Sequence, residues 1–237
     1  IGELNATNVQ ALTATQVANL TSTEFGELVT TQIDAFTKTQ LGALSTTNLN
    51  VLDTTQAQGL NATQLSGLTI TQVSNLSTTA FGELTTTQVN GLSATQLGHL
   101  STTNIDSLNA TAVQALSATQ LRALTSTQLS NLNSTDIGEL NATNVQALTA
   151  TQVAALGATN FAALVDTQVQ ALSATQLKGV STTQLSNLTS TDVGEFTATQ
   201  VGALTSTQLN SLGATNIGAL ATTQVQALTV TQIRALS

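Results

Sequence analysis

Side chains able to do chemistry are scarce in this chain, and they do not converge. Cysteine is absent and His99 is the one histidine, so there is neither a thiol nucleophile nor a His/Cys set for zinc. The carboxylates are mostly single. Glu24 with Glu27, and Asp136 with Glu139, stand one helical turn apart. An acid pair for hydrolysis, or a calcium site, needs more convergent oxygens than these supply. No phosphate-binding glycine loop and no Gly-x-Ser-x-Gly elbow occurs. His99 reads as an exposed variant residue. The expectation is a chain without catalytic residues, metal or cofactor, and therefore not an enzyme.

Hydroxyls and amides are abundant instead. Threonine stands at every eighth residue from Thr7 to Thr231, in all 29 places. Such a row has three uses: a binding surface for ice or polysaccharide, a set of attachment points for O-linked sugars, or hydrogen bonding to backbone groups inside the fold. Occurrence in every unit favours the internal use. Eight Asn-x-Ser/Thr triplets, at Asn5, Asn19, Asn61, Asn75, Asn109, Asn133, Asn141 and Asn187, permit N-glycosylation. A chain this rich in Asn and Thr also forms such triplets by chance.

What must position these groups is one octad, held in a single register from Ile1 to Ile233. It reads apolar–x–small–Leu–Ser/Thr/Asn–x–Thr–Gln, as in Val145-Gln-Ala-Leu-Thr-Ala-Thr-Gln152. Residues 1–237 form one continuous array of 29 octads plus a partial unit. Position four is Leu in 27 of 30 cases, the exceptions being Phe36, Val180 and Phe196. Position one is Val, Ile, Leu or Phe except at Ala57. A short fixed period of this kind is the mark of stacked repeats, each burying its apolar side against its neighbours. Two large apolar side chains are too few to offset the ordering of a whole octad, so no octad is stable alone.

At about 100° per residue, a continuous helix drifts by about 80° per octad and has no constant apolar stripe. A break is required in each unit. Position five is Ser, Thr, Asn or Asp in 24 of 29 units, and position eight is Gln in 18. Ser/Thr-x-x-Gln is a capping box, in which side chains satisfy the orphan amides of a helix start. Ser173-Ala-Thr-Gln176 followed by Leu177-Lys-Gly-Val180 is an example. The expected fold is all-α, a solenoid or superhelix of helices of about two turns, one per octad. The alternative is a β-solenoid, since Thr, Val and Ile favour strands and identical residues stack in ladders. Positions one and four have opposite parity, however, so a straight strand turns one of them outward.

A 56-residue, seven-octad super-repeat overlies the octad. Ala18–Leu28 recurs as Ser74–Leu84, Ser130–Leu140 and Ser186–Phe196, and Arg122, Lys178 and Arg234 share the spacing. Duplication of a seven-octad block explains this most simply. If seven octads complete whole turns, Glu27, Glu83, Glu139 and Glu195 return to one line.

Composition narrows the partners. Net charge is −8, from 12 acidic and 4 basic residues, and only 7% of residues are charged. No basic stripe exists to neutralise phosphates, which argues against nucleic acid. No apolar run reaches the roughly 18 residues of a membrane span. The chain reads as a mature piece, or a window of a longer array, bounded by ordinary repeat units.

Tandem units such as Ala147–Val153 and Ala227–Ile233 resemble the Thr/Gln-rich repeat tracts of very long bacterial secreted and cell-surface proteins of the adhesin type. The resemblance spans the chain and carries over no functional residue. It implies an extracellular or cell-surface spacer. The expected function is a structural array forming a rod, stalk or fibre, whose partners are flanking repeats or further copies of itself, end to end or side by side. The alternatives are a glycosylated fibril scaffold, with glycans as partners, or a Thr-array binding module for ice or polysaccharide.

Overall fold

The computed structural model describes residues 1–236. Among them are twenty-nine helices, α1 (Ala6–Ala11) to α29 (Val230–Ala235), and no strand. The all-α expectation holds, and the β-solenoid is not what forms. The helices have only four to six residues each, shorter than the two turns expected. A typical one runs from position six of one octad towards position three of the next.

The start and the stop of each helix are written into the octad. At α22 (Ala174–Gly179) the Ser173 hydroxyl accepts from the Gln176 backbone N–H at 3.2 Å, and Gln176 Oε1 accepts from the Ser173 backbone N–H at 2.8 Å. Both donors are orphan amides that a helix start leaves unpaired. Upstream, Leu172 ends α21 (Asp166–Ala171) in an extended conformation, φ −65° and ψ 127°. The pair Leu172–Ser173 is thus the whole linker between two helices. Where position five is apolar, at Val29, Val165 and Ala221, the residue's backbone N–H still donates to the following Gln Oε1. Gly157 and Gly213 take position five with φ of +75° and +79°. That left-handed bend suits glycine, and it chains α19 (Ala150–Ala155) to α20 (Gly157–Ala162) and α26 (Ser206–Ser211) to α27 (Gly213–Gly218).

By contact the chain divides into two compact units, Ile1–Ala123 and a second beginning at Leu124. In each, a helix packs chiefly on the helix three places earlier: α5 (Lys38–Ala43) on α2 (Ala14–Ala18) in the first, α22 on α19 in the second. A turn of the solenoid therefore takes three octads. Positions one and four fill the interior. Leu41, Leu97, Leu177 and Val201 are fully buried, and so are Phe25 and Ile33.

Position three is small because it meets position six of the layer before. A β-carbon on Gly91 would lie 2.6 Å from Ala62 Cβ, and one on Gly67 would lie 2.5 Å from Lys38 Cβ. The three-octad turn also changes the reading of the seven-octad super-repeat. Seven octads make two and a third turns, so Glu27 and Glu83 in the first unit sit a third of a turn apart rather than on one line, and so do Glu139 and Glu195 in the second.

Candidate functional site

Position eight is the joint between layers. Besides capping its own helix, an interior Gln sends its Nε2 into the layer before and donates to backbone carbonyls there. Gln176 reaches Val145 O at 2.7 Å and Leu148 O at 2.8 Å. Gln72 reaches Leu41 O at 2.7 Å and Leu44 O at 2.8 Å, and Gln200 reaches Val169 O at 2.7 Å and Leu172 O at 2.8 Å. These carbonyls lie where a helix ends: Val145, Leu41 and Val169 O each also accept the C-cap backbone N–H of Leu148, Leu44 and Leu172, and the Gln amide adds a bond to the carbonyl of that C-cap leucine. One side chain thereby closes the start of its own helix and the end of another. The glutamines are buried to within a few per cent, Gln176 at 3% exposure and Gln168 at 1%.

Sequence reasoning assigned only the capping half of this role. The missed signal was Gln over Glu. A cap alone is served as well by Glu, whose charge is also favoured at a helix start. Yet Glu occurs at position eight once, at Glu24, in the first layer where the side chain is exposed. Of the two, only the Gln amide accepts and donates at once, since an ionised Glu only accepts.

The position-seven threonines behave opposite to expectation. All 29, from Thr7 to Thr231, are exposed. Among the described residues none of their hydroxyls takes part in an intramolecular hydrogen bond, so the internal-bonding role fails. The physical reason is that position five and position eight already satisfy the orphan backbone groups. With three octads per turn, these hydroxyls form three rows along each unit.

The remaining candidates do not converge. His99 is exposed, with its Nδ1 2.8 Å from Thr95 O. Glu24 is consumed by capping: it accepts from the Thr21 backbone N–H at 2.9 Å and from its hydroxyl at 2.8 Å, and the backbone bond leads in holding its pKa below the usual range. An open depression of about 380 Å³ beside Glu27 and Asp53 is lined by no His, Cys or Lys, and Asp53 caps the helix Thr54–Gly59. Among the described residues no group of three or more His, Cys, Asp or Glu could hold a metal.

The eight sequon asparagines fall into two sets. Asn5, Asn61, Asn109, Asn133 and Asn141 are N-caps whose Oδ1 accepts a backbone N–H. Asn19, Asn75 and Asn187 are C-caps, and the Nδ2 of Asn19 and Asn75 donates to Thr15 O and Thr71 O at 2.9 and 2.8 Å. In the first set the hydroxyl residue of the sequon is itself a position-seven Thr, as Thr63 is for Asn61.

The pKa of Glu195 is raised, to about 7. Burial is the largest cause, followed by the close approach of Asp166 and the charges of Asp166 and Asp192; Glu195 Oε2 is buried without a hydrogen-bond partner. Glu195 stands at position three and Asp166 at position six of the layer before, so the close contact between layers carries like charges here.

Comparison with protein-family models and with curated proteins finds no match for the chain.

Proposed function

We propose that the chain is a structural repeat array, a rod, stalk or fibre component at or outside a bacterial cell surface, with no catalysis of its own. The observation that carries this reading is the amide joint at position eight. Within each unit it links most layers by the same kind of bond, which supports a fold that extends by repetition of one pattern. Stability in such an array is nearest-neighbour, and length is set by the number of octads rather than by a core of fixed size. The Thr/Gln-rich character that resembles bacterial surface tracts supports the extracellular placement. Among the described residues no helix is long and apolar enough to cross a membrane. Electron microscopy of material from the native source tests the reading: thin fibres or long stalks are expected, and compact monodisperse particles would overturn it.

A further inference from the structure

We propose that the position-seven threonines are O-glycosylation sites, occupied along all three rows. The inference goes beyond the structural reading and does not depend on it. Its starting point is a mismatch between use and tolerance. At position five the hydroxyl is used, as a cap, and there Ser, Thr, Asn and Asp interchange. At position seven no hydroxyl has an intramolecular partner among the described residues, and there Thr is never replaced.

Nothing in the local structure asks for Thr. The position is the second residue of an exposed short helix, where Ala or Glu has the better helix propensity. Thr159 and Thr215 persist and stay exposed even where Gly157 and Gly213 replace the usual cap. The demand therefore comes from outside the fold.

The distribution of the rows says what kind of demand it is. A flat ligand such as an ice face or a polysaccharide surface engages one side of the solenoid. It would hold Thr in every third octad and release the other two. Thr is instead required equally on three sides, which fits an enzyme that reads the octad itself, one unit at a time. The chain also lacks the charge that ordinarily keeps a protein dispersed, with 7% charged residues against about 25% in an ordinary soluble domain. A coat of sugars would supply that missing hydration on every side.

The co-reactant is a sugar activated as a nucleotide or lipid phosphate. Thr Oγ1 bonds to the anomeric carbon as the carbon–oxygen bond to phosphate breaks. The hydroxyl proton passes to a base of the transferase, the phosphate leaves with the bonding electrons, and no oxidation is involved.

The test is intact mass of the native chain, followed by electron-transfer fragmentation to locate the added mass. The expected result is a mass above the 24.1 kDa of the sequence by a series of sugar increments. These should map to consecutive octads, at Thr175, Thr183 and Thr191, and not to the capping Ser173, Ser181 and Thr189. A bare chain overturns the proposal. So do sugars confined to Asn residues or capping hydroxyls, or confined to every third octad. Stalks without sugars would sink this proposal and spare the structural reading; compact glycosylated particles would do the reverse.

Discussion

The layer joined by Gln176 and the layer joined by Asn104 use the same octad position with side chains one methylene apart. Gln176 caps Ser173 through Oε1 and donates through Nε2 to Val145 O and Leu148 O. Asn104 donates to Leu76 O alone, at 2.9 Å, and its Oδ1 is buried without a partner. The shorter chain cannot span from the cap on one side to both carbonyls on the other. Asn48, Asn160 and Asn216 repeat the shorter arrangement, reaching Leu20 O, Leu132 O and Leu188 O. Successive members of this set of four are one seven-octad block apart. Seven octads are not a whole number of turns, so within each unit the weaker joints fall on different sides. A seam of weak joints on one side is thereby avoided.

Removing a full joint should have the largest effect. Gln176→Ala leaves Leu148 O and the Ser173 N–H without the partners that Gln176 supplies, while Val145 O keeps the Leu148 N–H. At about 1–3 kcal/mol for each buried group left unsatisfied, the loss should be roughly 2–5 kcal/mol. Urea titration followed by circular dichroism measures it, and a loss below about 0.5 kcal/mol would show that the interlayer bonds do not hold the stack together.

Converting one kind of joint into the other is the next largest. Asn104→Gln should give the cap at Ser101 its missing acceptor and extend a donor towards Val73 O, stabilising by about 1–2 kcal/mol, the scale of one or two net hydrogen bonds. A fall in Tm instead would mean that the Asn layers are packed too closely for the added methylene, and that the two joints are different designs rather than a longer and a shorter version of one.

Much of this was legible in the octad, because position five with position eight states a cap and positions one and four state a buried stripe. Ser173–Gln176 forms as expected, and Leu177 and Val180 are buried as expected. The number of helices per turn was not legible. It depends on the angle between successive short helices at linkers such as Leu172–Ser173, which periodicity along the chain does not encode. For the same reason the reach of Gln176 back to Val145, in the preceding layer, was hidden, and the backbone-bonding role expected of the position-seven hydroxyls is not played by the exposed Thr175.

Ser173→Ala against Thr175→Ala sharpens the contrast between a used and an unused hydroxyl within one octad. Loss of the capping hydroxyl should cost about 1 kcal/mol. Loss of the exposed one should change stability by less than about 0.5 kcal/mol in the unmodified recombinant chain. Equal losses would show that Thr175 has an internal role after all.

The smallest effect expected is electrostatic, and it compares two layers with the same register. Glu195 stands at position three against Asp166 at position six of the layer before, whereas the residue in the corresponding place for Glu83 is Thr54. Burial and the two neighbouring acids raise the Glu195 pKa from 4.5 to about 7, so the folded chain binds a proton there more readily than the unfolded chain does. Stability therefore rises as pH falls from above 7 towards 4.5 and levels off below, because in that window the folded state holds the extra proton. Glu195→Gln removes the charge at every pH. It should raise Tm at pH 8, with the advantage shrinking to nothing near pH 5. Thermal melts of the two chains from pH 5 to pH 9 decide it. Parallel curves for the natural chain and Glu195→Gln would mean that the side chain swings into solvent, where water screens it from Asp166.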